Sequence, residues 1–585
     1  MDASMRRRIM ISDREYSSWH FVDPDTYVPI PLSDSTFSSP AELHLFTNDL
    51  IDISVEPPEL IHSPARSAQI PAILVLDGNK TFGRTPDKKR LLYKCIPNDR
   101  FLPAFLVPYA PEIGFSKTLQ NRFVVFKFAS WDGAHPRGLL IENLGEVGNL
   151  EAFYEYQLYC RSLHDSISEF NKVAKRAIVG EANAGFSPRF QSTHSCSSHS
   201  SSSEPRIFSI DPPGASDQDD ALSITPTPTG AIVRVYIANV FLCLERLSLW
   251  KSFSNRVSTI YLPDFKRPML PTVLSDQTCS LTQNARREAF CMEVEVSADK
   301  IIPDSVRFSN QTICVAKNYA YESSELLADP DYQRLLECTK RLDPAVSEST
   351  DVVAHWMIQM NVFCGELLKS RGVGIFRQAS WHPDTKDKDP EEPHSITAAI
   401  DSLPSSIPID SKRLIANWRH TTGQYVAFNK DHPVEHATMG KVDYVHITSP
   451  IRRIVDLLNQ IVFQREFIDP HISPEATEFV EHWLNQLDYI NATMRSIKKV
   501  QLDCDMIHRC IANPEWTDTT HPGVLFDRIH RTDGRYSYMV HLQDLKMLGR
   551  ITTQEKYENY TVERIKMFVF QDEERLHRKV RLGIV

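Results

Sequence analysis

Residues 210–224 read IDPPGASDQDDALSI. Four carboxylates crowd this stretch, at Asp211, Asp217, Asp219 and Asp220. Pro212, Pro213 and Gly214 oppose a helix, so the acids sit on a stiff loop between apolar runs. Carboxylates this close repel one another unless a cation neutralises them. Oxygen ligands alone suit Mg²⁺ or Mn²⁺ rather than zinc. The register excludes an EF-hand: counting from Asp217, the sixth position is Leu222 instead of Gly, and the twelfth is Pro228 instead of Glu. An acidic surface turn is the alternative reading.

A second stretch, HITSPIRRIVDLLNQIV at 446–462, complements the first. Ser449 suits an N-cap and Pro450 the first helical position, with Ile451, Ile454, Leu458 and Ile461 as an apolar stripe. That register puts Arg452 and Arg453 in the first helical turn, against the helix dipole. An anion held at the helix start accounts for the cost, and phosphate is the natural one. Two ordinary surface arginines are the alternative. Acids that hold a metal and an arginine that holds a phosphate are the parts of phosphodiester hydrolysis.

Outward from these stretches the chain divides by composition. Residues 1–66 are rich in Pro, Ser and acids, with 5 Lys/Arg against 11 Asp/Glu, and read as a weakly structured N-terminal arm. Residues 67–150 hold 11 Lys/Arg against 7 Asp/Glu and alternate short apolar runs with turn signals, as a small β-barrel does. Aromatics and bases interleave there (Phe82, Arg84, Tyr93, Phe123, Lys127, Trp131), as in a surface that stacks bases and follows phosphates. A β-core with solvated lysines is the alternative. Residues 151–185 read as a helical connector and 186–205 as a Ser-rich linker, nine of the 17 residues from Ser187 to Ser203 being serine. Residues 206–512 mix strand-like runs with long helical patterns, and 513–585 return to short strands that suggest a second barrel. No repeat of fixed period stands out.

The whole chain has 585 residues and a net charge of −10, which argues against a general nucleic-acid binder and leaves the basic 67–150 module as the place for a polyanion. Hydrophobic residues are 42% and charged residues 24%, values of globular domains rather than disordered or fibrous chains. The apolar runs fall far short of the roughly 20 residues a membrane span needs, and no signal peptide is read. Eleven scattered cysteines without a CxxC pair point to reduced thiols rather than zinc.

Taken together, these motifs resemble the ribonuclease II (RNB) family, whose acids share the spacing of Asp211, Asp217, Asp219 and Asp220. The likeness continues through VRVYIANV (233–240), STIYLPDFKRPMLPTVLSDQTCSL (258–281) and YVHITSPIRRIVDLL (444–458). Upstream, FGRT (82–85), FLVPY (105–109), GFSK (114–117) and AFYEYQLYCRSL (152–163) are similar to the second cold-shock-like barrel and following helix of the eukaryotic exosome's hydrolytic subunit. The resemblance implies a multidomain α+β protein, with OB-fold β-barrels flanking a mixed α/β RNB catalytic domain. It implies Mg²⁺-dependent (or Mn²⁺-dependent) 3′→5′ hydrolysis of single-stranded RNA to nucleoside 5′-monophosphates, with no small-molecule cofactor. The chain is then expected in cytoplasm or nucleus, off the membrane, with an exosome-type complex as a partner. Asp211, Asp217, Asp219 and Asp220 would form the metal side, with Asp219 the acid most essential to the chemical step, positioning a second metal or the attacking water. Arg452 would hold the scissile phosphate, with Arg453, His446, Thr448 and Ser449 beside the substrate. Tyr261 would stack on a base near the 3′ end and Tyr321 would sit at the scissile bond.

The chain departs from the family at several points. Ala354 and His355 stand where a Glu pair is usual, and Asn239 where a strand usually ends in Asp. No N-terminal nuclease domain of the exosome subunit's kind is expected, and only one cold-shock-like barrel. These departures keep a second reading open: an RNA-binding or exosome-associated pseudoenzyme that retains the fold.

Overall fold

In RRRIMI the buried and accessible positions alternate, the period of a strand with one face inward. In the computed structural model this segment is β1 (Arg6–Ile11), central to a sheet with β2 (Trp19–Val22), β3 (Pro29–Ile30), β4 (Leu50–Asp52) and β5 (Glu59–His62) in the order β3-β2-β1-β4-β5. The structure describes residues 6–31, 39–111, 119–183, 205–297, 299–379, 400, 403–421, 423–428, 444–574 and 576–585. The Ser-rich linker and the GFSK motif lie outside the described residues.

The expected weakly structured arm is therefore a folded sheet. Ile9, Ile11, Phe21, Leu45 and Ile51 form its own small core. The strands are too short to give sustained periodicity, and the Pro, Ser and acidic residues between them dominate the composition.

The next five strands close into a barrel: β6 (Ile70–Leu74), β7 (Leu91–Pro97), β8 (Phe105–Tyr109), β9 (Arg122–Ser130) and β10 (Arg137–Glu146). Closure comes from a parallel pairing of β8 with β10, at Leu106 opposite Arg137. Five strands with this connectivity are the OB barrel. Helices Leu150–Cys160 and Ser168–Asn183 follow.

The central sheet runs β13-β12-β11-β18-β16-β17: β11 (Ile207–Asp211), β12 (Asp220–Thr227), β13 (Gly230–Ala238), β16 (Arg286–Ser297), β17 (Lys300–Ile301) and β18 (Arg307–Ala320). An added β13–β16 pairing brings its far strands together. A hairpin of β14 (Ile260–Tyr261) and β15 (Lys266–Arg267) interrupts the sequence between them. The long helix Ser349–Arg371 starts with a capping box of Glu348 and Asp351. Its buried face includes Val353, Met360, Cys364 and Leu368. Strands β19 (Ile375–Ala379) and β20 (Gly423–Ala427) pair antiparallel, and helices Ile454–Phe467, Pro474–Leu484 and Leu487–Ala512 follow.

The last strands are β21 (Thr520–His530), β22 (Tyr536–Leu542), β23 (Met547–Thr553), β24 (Val562–Gln571) and β25 (Arg578–Ile584), in the order β23-β22-β21-β24-β25. Numbered within each sheet, the first, second and last sheets share one order, 3-2-1-4-5. Among the described residues before the central region, one sheet is closed into a barrel, and the N-terminal sheet carries the same order without that closure. The repetition lies in topology, not in sequence.

By compactness the chain divides into two units. One comprises residues 1–164, 503–519 and 567–582; the other comprises 165–502, 520–566 and 583–585. The acidic loop and the arginine stretch both belong to the second. Among the described residues no helix is long and apolar enough to cross a membrane.

Candidate active site

Asp211 ends β11 and Asp220 begins β12, so the loop 212–219 hangs from one end of two neighbouring strands. Its first bend is a tight turn in which Ala215 N donates to Pro212 O at 3.1 Å. Gly214 sits there at φ +80°, a conformation that side chains rarely adopt. Four backbone anchors then hold the acids still. Tyr321 N donates to Asp211 O (3.0 Å), Ala238 N to Asp219 O (2.8 Å) and Leu281 N to Gln218 O (3.0 Å). Gln218 N donates to Ser280 Oγ at 3.0 Å.

The four carboxylates have different surroundings. Asp219 is 2% exposed and both oxygens are occupied. Ile451 N donates to Oδ1 at 2.9 Å and Arg452 Nε to Oδ2 at 2.9 Å. Burial pushes its carboxyl up to about 7, and the Arg452 charge only partly opposes this. Asp217 is also occupied on both sides, by Lys266 Nζ on Oδ1 (2.9 Å) and by the Tyr261 hydroxyl on Oδ2 (3.1 Å). Asp211 accepts from Ser209 Oγ on Oδ2 at 2.7 Å, and burial pushes it up to about 6. Burial, with Asp211 and Asp219 nearby, pushes Asp220 well above the ordinary carboxylate range. No hydrogen-bond donor among the described residues reaches its carboxylate.

The open oxygens therefore belong to Asp211 and Asp220. Among the described residues no three His, Cys, Asp or Glu side chains converge as a ready-made metal cage. A two-carboxylate site suits Mg²⁺, which keeps several waters and completes its shell with substrate phosphate. The raised proton affinity of these two half-buried acids is what a cation beside them would relieve.

The arginine stretch differs from its expected register. The helix begins at Ile454, and Arg453, in extended backbone, is its N-cap residue. Ser449 and Pro450 belong to a preceding turn in which Ser449 O accepts from Arg452 N (3.2 Å) and Arg453 N (3.0 Å). Asp456 imposes this turn by accepting from Ser449 N at 2.8 Å. The dipole argument thus does not apply to Arg452. Thr259 N (2.9 Å) and Ser258 Oγ (2.8 Å) both donate to its carbonyl oxygen. The two arginines also part company. Arg453 Nη2 donates to the buried Asp456 Oδ1 at 2.8 Å, and its Nε lies 2.8 Å from Oδ2. Arg452 spends Nε on Asp219, its side chain stays 42% exposed, and its terminal nitrogens meet no other acceptor among the described residues.

The other expected site residues scatter around this centre. Tyr261 is 43% exposed with its hydroxyl on Asp217, so its ring faces outward. Tyr321 follows β18, and its backbone touches Asp211. His446, Thr448 and Ser449 are buried. His446 Nδ1 lies 2.8 Å from the Tyr425 hydroxyl and 3.4 Å from Arg377, inside a polar core. Asn239 caps the helix Val240–Arg246 and donates to Asn310 Oδ1 at 2.8 Å, so the neutral amide is satisfied. His355 Nε2 is buried without a hydrogen bond among the described residues, and burial pushes the imidazole down to about 4.

Three participants escaped the sequence reading: the Ile451 N–H, Lys266 and Phe265. Phe265 is 60% exposed at the hairpin tip, its ring 3.7 Å from the Arg267 guanidinium. The sign available for the last two was YLPDFKRP, a segment bounded by prolines with an aromatic and two cations in its turn.

Residues 201–342 match the family described as the RNB domain. Over that span the chain is similar to the RNB domain. The matched span covers the acidic loop, the hairpin and all six strands of the central sheet, and ends before Arg452. A relative, the exosome complex exonuclease dis3 of Schizosaccharomyces pombe, is 27% identical over 264 residues, covering 43% of this chain and 26% of that one. The chain thus spans about a quarter of that relative's length. Among solved structures, Mycoplasma genitalium RNase R in complex with ribose-methylated single-stranded RNA superposes with TM-score 0.63, covering 99% of this chain and all of that one at 14% identity. Yeast Ssd1, described as a pseudonuclease, superposes with TM-score 0.56 at 14% identity, covering 94% of this chain and 79% of that one. At such identities the likeness is one of fold, and it holds for a protein with the chemistry and for one without it. The expected mixed α/β RNB region between OB-type sheets is the observed fold.

Proposed function

We propose that this chain is a 3′→5′ exoribonuclease that hydrolyses single-stranded RNA to nucleoside 5′-monophosphates. The observation that carries the reading is the Asp219–Arg452 pair. Asp219 lies buried beside two acids with open oxygens, and Arg452 is anchored to it by Nε alone. Asp211 and Asp220 would hold a Mg²⁺ ion, which when bound supplies positive charge at the phosphate and an acidified water. The free terminal nitrogens of Arg452 hold the phosphate by charge-assisted hydrogen bonds. Asp219 fixes the direction in which that guanidinium points and holds it against solvent. The exposed rings of Tyr261 and Phe265 stack on bases without reading them, as an unspecific nuclease requires.

The RNB pseudonuclease fold supports a second reading, binding without turnover, and Ala354 and His355 favour it. One experiment separates the two. 5′-labelled single-stranded RNA is incubated with the protein and Mg²⁺ and followed on a sequencing gel. A ladder shortening from the 3′ end, abolished by EDTA, is the expected result. RNA that binds yet stays intact overturns the nuclease reading. The relative's name supports an exosome-type complex as partner, and co-purification at low salt tests it.

A further inference from the structure

Lys266 lies inside the acidic cluster. An ammonium has three donors, and all three are spent here. Nζ lies 2.9 Å from Asp217 Oδ1, 3.1 Å from Asp276 Oδ1 and 2.7 Å from Ser216 Oγ. Ser216 Oγ in turn donates to Asp276 Oδ2 at 2.9 Å. A point charge bridging two carboxylates and a hydroxyl occupies the kind of place a hard divalent cation takes. On β14 and β15, Lys266 stands directly opposite Tyr261, and directly opposed residues share a face of the hairpin. The pair grips Asp217 from both sides, the ammonium on one oxygen and the phenol on the other.

We propose that Lys266 is a positioning residue: a resident cation that keeps Asp217 out of direct metal coordination and, through Asp217, sets the Tyr261 ring in place. This rests on the reading that a divalent ion sits at Asp211 and Asp220. The site then works with one metal ion and two built-in cations, Lys266 and Arg452, each committed to its own carboxylate. Arginine cannot replace Lys266 without moving the hairpin, because a planar fork does not fit a three-acceptor pocket made for a compact ammonium.

Mn²⁺ binding to the full chain tests this without reference to turnover. The wild-type protein is expected to bind one Mn²⁺, counted by calorimetry and by loss of free-ion EPR signal. Lys266→Met removes the ammonium and leaves Asp217, Asp276 and Ser216 facing a vacated position, so a second Mn²⁺ is expected. If Lys266→Met still binds one ion with wild-type affinity, or if the wild type already binds two, the assignment of Lys266 is wrong while the metal reading stands. If the wild type binds none, the metal reading itself falls and this inference with it. Asp276→Asn guards against misfolding of the first variant, with circular dichroism as the check. It leaves Lys266 on Asp217, so one Mn²⁺ should bind within about threefold of the wild-type affinity. A larger loss would make Asp276 a metal ligand and overturn the proposal.

Discussion

Replacing Asp219 by Asn deletes one charge and almost no volume, which makes it the cleanest probe of the site. The carboxylate accepts from Ile451 N and Arg452 Nε, each at 2.9 Å. An amide offers one acceptor oxygen, so its NH₂ must face one of those donors. One charge-assisted hydrogen bond is lost and a donor–donor contact takes its place, a cost of about 2 kcal/mol before solvent is considered. Arg452 is 42% exposed, so water recovers part of that loss in the resting protein. Stability should fall by only about 1 kcal/mol. Turnover should fall by about 10²-fold or more, because the guanidinium is no longer aimed when charge develops on the phosphate. The assay is single-turnover cleavage of 5′-labelled RNA at saturating Mg²⁺, beside RNA affinity by fluorescence anisotropy without metal. Affinity should hardly change. A cleavage rate within about threefold of wild type would refute the role given to Asp219, and an affinity that falls in step with rate would move Asp219 to RNA binding.

Arg452→Ala should lower kcat more than affinity, because one lost phosphate contact is a small part of a polyanion's binding; equal losses in both would put Arg452 on the entry path instead. Tyr261→Ala should weaken RNA binding by the value of one stacked base, about 1–3 kcal/mol, while Tyr261→Phe, which keeps the ring and loses only the hydroxyl held by Asp217, should cost less; titration of both variants with a short oligonucleotide checks this. With Ala354 and His355 in place of an acidic pair, an RNA ending in a 3′-terminal deoxynucleotide should be degraded with kcat/KM within about tenfold of its all-ribose match, since no carboxylate is left unpaired by the missing hydroxyl. His355 is held neutral in the fold, down to about pH 4, whereas an unfolded histidine takes a proton near pH 6.5. The unfolded state therefore binds more protons in that window and stability falls as pH falls. His355→Phe should remove about 2 kcal/mol of the loss between pH 7 and pH 5, read from urea melts; an unchanged pH slope would show that the imidazole charges freely in the fold.

The acidic loop was legible because its evidence is local. Two prolines, a glycine and four carboxylates within one turn-rich stretch leave few conformations and few chemistries. The barrel at 67–150 was legible because its strands are long enough to alternate. The N-terminal sheet was not: strands such as Pro29–Ile30 and Leu50–Asp52 are shorter than any period they might display. The helix start near Ser449 misled for a different reason. Ser-Pro is a sound N-cap signal, yet the buried Asp456 captures Ser449 N and delays the helix to Ile454. That competition takes place in three dimensions and leaves no trace in the spacing. Lys266 stood in the sequence only as a cation in YLPDFKRP; its pairing with Asp217, far along the chain, comes from the fold and leaves no trace in the spacing.

The bond from Ile451 N to Asp219 spans 232 positions of the chain. At a synthesis rate of 5–20 residues per second, a ribosome needs about 10–50 s to go from one partner to the other. Throughout that interval the growing polypeptide carries all four acids and no Arg452. The Asp219–Arg452 pair therefore cannot form on the nascent chain until residue 452 has emerged, so the candidate site is completed late in synthesis.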